Sequence, residues 1–213
     1  MATLILSIQR NSGMYFYYAY GFLTLEQTYL CRVNPGDSYE SCDRADICSQ
    51  IAEGLTPDYM ENTSSDTYIQ NWTQEMGFMC TPRTTVQWVV TGYLLAYGVS
   101  GFLFWPVPDL HGRKKTMTVF GFAHLACQWV LLLCPFYWAR LVAFAMMGFC
   151  QIKICCCYSW LFELVPEKHK ALSSTFLNAY DVGCVMLVCL YFMQISKYWF
   201  PLYMTLTVLG TIT

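Results

Sequence analysis

Two apolar runs, Val86–Pro108 and Met117–Pro135, are parted only by Asp109-Leu110-His111-Gly112-Arg113-Lys114-Lys115. A hydrocarbon core of roughly 30 Å takes about 20 helical residues to cross, and each run is close to that length. Backbone amides inside lipid must be satisfied within the segment, so runs of this kind can only be helices. A short turn with three consecutive basic residues between two of them reads as a cytoplasm-facing turn of a multi-span membrane protein. Only 12% of the residues are charged, against about 25% in soluble domains. The net charge of −2 comes with no basic stripe, so nucleic acid is not an expected partner.

The charges are sorted along the chain. Residues 31–83 hold nine of the fourteen acids and three bases, Arg32, Arg44 and Arg83. The turns at Arg113-Lys114-Lys115 and at Glu167-Lys168-His169-Lys170 are basic and lie two spans apart, hence on one face. The positive-inside tendency makes that face cytoplasmic, or its matrix or stromal equivalent, and puts the acidic segment on the other.

The pattern predicts an all-α membrane protein of about six transmembrane helices with a large loop between the first two. Residues 1–30 carry the first helix, with Ser12–Leu30 its minimum extent and Met1–Asn11 extending it or lying at the interface. Residues 31–84 form the outer loop, and residues 85–213 carry helices two to six. These are Thr85–Pro108, Thr116–Cys134, Ala139–Val165, Ala171–Ile195 and the short run Pro201–Thr213. The last would reach only about 20 Å at 1.5 Å per residue, so it reads as unfinished. The early apolar stretch lacks a small-residue cleavage site, so no removable signal peptide is expected.

Four cysteines fall in the loop: Cys31, Cys42, Cys48 and Cys80. They allow three pairings, and on an oxidising face they would staple a small ectodomain. The acceptor sequons at Asn62 and Asn71 fit the same face. Cys155-Cys156-Cys157 in the fourth span cannot converge on one ion, because consecutive helical positions point about 100° apart. They are expected to pack, and no metal site or cofactor is expected.

The order Asp109-x-x-Gly112-Arg113-Lys114 between spans two and three, the cysteine-bearing loop ending in Asn71-Trp72-Thr73-Gln74-Glu75-Met76-Gly77-Phe78-Met79-Cys80, and Arg140 opening a span that Glu163 closes are similar to one family. The chain resembles the amino-terminal half of a major facilitator superfamily transporter, nearest to the organic cation/carnitine transporter branch. The resemblance implies a secondary carrier of small organic ions rather than an enzyme. It makes Asp109, Gly112, Arg113 and Lys114 a gating motif and Arg140 with Glu163 a charge network. Trp105 stands where the family has a small residue for a close helix crossing, and Phe144 stands where a glycine is expected, with Gly148 one turn later.

Ionisable residues within spans are functional candidates. They are Arg10, Glu26, Arg140, Lys153, Glu163 and Asp181. Lys153 and Asp181 lie deepest, and either pair with each other or line a substrate path with Tyr17 and Tyr20 of the aromatic first span, whose rings suit organic cations. His124 is expected to pack on a helix face, and His111 and His169 to be solvated. The site of such carriers lies between two bundles. A six-helix chain is therefore expected to be part of a longer transporter, to pair with a second half or another membrane subunit, or to serve as a non-transporting accessory subunit. The stapled loop favours a plasma or secretory-pathway membrane, with an organellar (mitochondrial) inner membrane as the other option.

Overall fold

A computed structural model describes residues 14–32, 38–65 and 67–212. The chain begins with α1 (Met14–Tyr18) and α2 (Tyr20–Leu23), consecutive pieces of the first helix. It then leaves the bundle through strand β1 (Tyr29–Arg32), β2 (Glu40–Cys42), α3 (Arg44–Ala52), β3 (Asp58–Glu61), α4 (Trp72–Glu75) and a 3-10 turn at Phe78–Cys80. The bundle resumes with α5 (Arg83–Phe104), a short α6 (Val107–His111), α7 (Arg113–Leu133), the collinear pair α8 (Tyr137–Phe149) and α9 (Ile152–Leu164), α10 (Glu167–Leu190) and α11 (Trp199–Ile212).

Among the described residues four helical segments are long and apolar enough to cross a membrane: Arg83–Phe104, Arg113–Leu133, Tyr137–Leu164 and Glu167–Ile195. Within the described residues the six expected spans are not all present at full length. The first was placed at Ser12–Leu30, but its described helix stops at Leu23. Tyr29–Arg32 is instead drawn into the loop, where β1 is the centre of a three-stranded antiparallel sheet, Leu30 facing Ser41 on one side and Met60 on the other. The last helix, Trp199–Ile212, has 14 residues. The span faces are apolar and bare, with Phe102 at 86% exposure. A helix hydrophobic all round belongs in lipid.

The loop is a small folded unit. Asp43 caps α3, its carboxylate accepting from the Ala45 amide at 3.2 Å. Disulfides join Cys31 to Cys42 and Cys48 to Cys80, selecting one of the three open pairings. The second closes 32 residues of chain, a loop whose closure entropy stabilises by about 3–4 kcal/mol in the chain-entropy account. The unit is strapped to the bundle on the far side too, where the Gln70 amide donates to Lys197 O at 2.9 Å and Lys197 Nζ to Ser65 O at 3.1 Å.

Two hydrophobic cores result. The larger joins the first helix, α5, α7, α8, α10 and α11 around Phe16, Leu23, Trp72, Phe144, Met147, Trp199 and Tyr203. The smaller, near the basic turns, packs Met117, Cys156, Cys157, Leu161 and Leu177, so two of the three consecutive cysteines are core residues. Trp105, at 63% exposure, points away from the bundle and crosses no helix closely. The close crossing occurs at Gly148 instead, where a Cβ would stand 2.2 Å from Tyr93 O. Small residues at such contacts let helices approach in lipid.

Gly148→Ala is therefore expected to force α5 and α8 apart and cost about 1–3 kcal/mol or more. Gly92→Ala, whose Cβ would meet only Ala145 Cβ at 3.7 Å, should be nearly neutral. Thermal unfolding in detergent of both variants checks the contrast; equal melting would contradict the crossing.

Candidate functional site

The polar side chains of the bundle gather at three levels. At the loop end, Arg140 opens α8 and is 3% exposed. Its Nη2 donates to Glu75 Oε2 at 2.8 Å and its Nε to Cys134 O at 2.7 Å. The guanidinium lies over Trp72 at 4.9 Å and Trp199 at 5.6 Å, and Trp199 Nε1 donates to the other oxygen of Glu75 at 2.9 Å. Nη1 meets no acceptor among the described residues, and the indole faces take that role.

Near the middle of the spans, Gln151 Nε2 donates to Tyr93 OH at 2.8 Å and lies 3.4 Å from His124 Nε2. Gln128 Nε2 lies 3.4 Å from His124 Nδ1. Tyr17 stacks on Tyr93 with centroids 4.9 Å apart. Lys153 follows two residues after Gln151 and is 3% exposed. The helix tightens here, with Gln151, Lys153 and Ile154 amides bonding three residues back to Gly148, Cys150 and Gln151. A short 3-10 passage inside a helix commonly marks a functional position.

At the basic end, Gly112 turns the chain between α6 and α7 at φ 89°, a backbone region that favours glycine. That turn sets Arg113 to pair with Asp109 at 3.3 Å, and Arg113 Nη1 also pairs with Glu163 at the end of α9. Lys114 is exposed beside them, as are His111 and His169.

The structure thus divides residues that the sequence grouped. Arg140 and Glu163, expected in one network, sit at opposite ends of one span. Twenty-three helical residues put them about 35 Å apart, so Arg140 takes Glu75 and Glu163 takes Arg113. Lys153 is buried on α9, and Asp181 sits half-buried on α10. Tyr20 turns from the central cluster, its hydroxyl donating to Val86 O and its ring lying 5.8 Å from Phe144. Arg10 and the interfacial reading of Met1–Asn11 lie outside the described residues. His124 is fully buried and hydrogen-bonded rather than merely packed. Tyr93, Gln128 and Gln151 carry no charge, so the pattern of ionisable span residues does not single them out, and Glu75 stands in the loop motif without a sign of its partner. Two glutamines in apolar runs were the available signal.

Helices of bilayer length, a charged turn between the second and third, and buried polar side chains in the middle define a multi-span membrane protein of carrier type. The Major Facilitator Superfamily model matches residues 56–190, and the chain belongs to that superfamily. No curated protein matches the chain.

The two sequons differ sharply. Asn71 is fully buried and caps α4, accepting from the Thr73 amide while its Nδ2 donates to Phe22 O and Leu25 O, both at 3.0 Å. A glycan on that nitrogen would leave it one hydrogen for two acceptors, at a fully buried position with no room for the sugar. Asn62 is half-buried in an otherwise exposed turn, and its Oδ1 accepts from Ser64 Oγ. In secretory-pathway expression Asn62→Gln alone should abolish any endoglycosidase-sensitive gel shift; a shift surviving that change would mean that Asn71 is the acceptor. A second expectation concerns Arg140. Breaking a buried pair costs about 3–5 kcal/mol, so Arg140→Gln should lower the melting temperature clearly more than Arg113→Gln, whose partners are exposed.

Proposed function

We propose that this chain builds the amino-terminal bundle of a secondary transporter for small organic ions, of the organic cation/carnitine type. The observation that carries the reading is the buried cluster of Tyr93, His124, Gln128, Gln151 and Lys153. Polar and ionisable groups in the middle of a membrane bundle cost free energy and persist where they line a path. Tyr17 reaches this cluster by stacking on Tyr93, which supports its place on the substrate path with Lys153. Asp181 joins them from α10, the helix packed on α1. Tyr20 belongs to the path only at its loop-side entry.

Asp109, Arg113 and Glu163 form the gate in this reading. Arg113 ties the turn after α6 to the end of α9, so separating these helix ends requires breaking charge-assisted bonds. Gly112 supplies the turn, and Lys114 adds the positive charge that keeps the turn on the cytoplasmic face. The two disulfides support an oxidising side for the loop, and with it the plasma or secretory-pathway membrane. A second six-helix half or another membrane subunit would complete the binding site from the far side.

Uptake by the natural protein in proteoliposomes tests the reading. With a panel of small organic cations and anions, Lys153→Met and Tyr93→Phe should each cut uptake about tenfold or more, a loss of roughly 1.4 kcal/mol in transition-state terms. Arg113→Gln should change rates with little change in apparent affinity. Uptake that survives Lys153→Met and Tyr93→Phe unaltered would remove the central cluster from the path. Absent flux together with a partner of fixed stoichiometry would make the chain an accessory subunit.

A further inference from the structure

At the loop end, beside Tyr20, lies a cavity of about 320 Å³ whose charged lining the carrier reading does not use. It sits where the first helix stops and α5 begins, between Thr24 and Leu25 on one side and Val86 and Gln87 on the other, with Phe78 beneath. Three charged side chains converge there. Glu26 receives Arg83 in a two-pronged contact, Nε to Oε1 at 2.9 Å and Nη2 to Oε2, and Arg44 Nη1 also donates to Oε1. Arg44 Nη2 goes on to Thr81 O at 2.8 Å.

The charges do not balance within the cavity. Two guanidiniums share one carboxylate, and each carries five N–H donors of which the contacts above engage only two. A further acid, Asp43, lines the adjoining cavity together with Glu26, Arg44 and Arg83, and its carboxylate is engaged in capping α3. What remains is a rim of guanidinium N–H groups open to a further acceptor, with Arg83 facing solvent. Below it lie the apolar faces of Leu25, Phe78 and Val86. Guanidinium forks match planar carboxylates and phosphates, and pockets from about 300 Å³ upward suit small ligands.

We propose that this cavity binds a small amphipathic organic anion, its charged group on Arg44 and Arg83 and its hydrocarbon against Phe78 and Val86. Glu26 occupies the arginines in the empty cavity, so an incoming anion competes with an internal carboxylate. That competition fixes the sign of the test. Removing the Glu26 charge leaves a purely structural clamp weaker, but it makes an anion site tighter.

The experiment measures binding of a trifluoromethyl-benzoate to the full chain in neutral phosphatidylcholine nanodiscs by fluorine NMR. Non-reducing gels and thermal melts follow the fold. Glu26→Gln should tighten binding about tenfold, and Arg44→Gln or Arg83→Gln should weaken it about tenfold, the usual scale for one charge-assisted contact. Val86→Trp, which fills the cavity without touching a charge, should abolish it. Discs containing phosphatidylglycerol separate the two sources of the anion. Displacement of the benzoate there assigns the site to an anionic lipid headgroup, and undiminished binding assigns it to a soluble carboxylate. Binding absent from the unaltered chain, or the same in the doubly substituted Arg44→Gln and Arg83→Gln protein, overturns the proposal. Neither result depends on flux, so the cavity and the carrier reading stand or fall separately.

Discussion

Arg140 is a cation almost wholly withdrawn from solvent, and a buried charge must be matched by groups brought to it. The groups that meet it come from far apart in the chain: Glu75 and Trp72 from the loop, Cys134 from the end of α7 and Trp199 from α11. No two of these segments adjoin in sequence. The loop therefore behaves as part of the bundle rather than as an appendage, since Glu75 serves Arg140 with one oxygen and Trp199 with the other. Asn71 repeats the logic a few residues earlier, capping α4 while tying it to the carbonyls of Phe22 and Leu25 at the end of the first helix.

This dependence explains why the first helix is shorter than its apolar run. Apolar sequence continues through Tyr29-Leu30-Cys31, but those residues gain strand partners on both sides and a disulfide to Cys42. Backbone hydrogen bonds in a sheet are as complete as those in a helix, so tertiary context decides between the two. Hydropathy reads membrane length and cannot see a partner strand.

Much of the rest was legible. Span positions followed from apolar runs and charged turns to within a few residues, and Asp109-x-x-Gly112-Arg113 marked the turn where Arg113 is in fact the hub. The loop cysteines pointed to stapling but not to pairing, because connectivity is a property of three-dimensional proximity. Partners across the bundle stayed hidden for the same reason. The resemblance groups Arg140 with Glu163 in one charge network but does not name Glu75 and Arg113, the partners that each meets at its own end of the span. The central cluster was half visible: Lys153 stood out by charge, but Gln128 and Gln151 differ from their neighbours only by an amide. Their importance follows from facing His124 and Tyr93, which no local pattern encodes.

The fourth span shows how these anchors divide labour. Its first half, α8, is fixed at Arg140 and again where Gly148 presses against the backbone of Tyr93. Gln151 then bonds the hydroxyl of that same Tyr93, so one residue of α5 holds α8 by its backbone and the following turn by its side chain. Its second half, α9, is held at the other end through Arg113 and Glu163, and lies among Met117, Cys156, Cys157, Leu161 and Leu177 in a core of its own. Between the two anchored halves the backbone bonds shift from four residues back to three, and Lys153 stands at that shift. A helix bonded in one register throughout would transmit a displacement at Arg113 directly to Arg140. A helix interrupted at Gln151–Ile154 has a point where its two ends are mechanically distinguishable, and the buried polar cluster sits at that point.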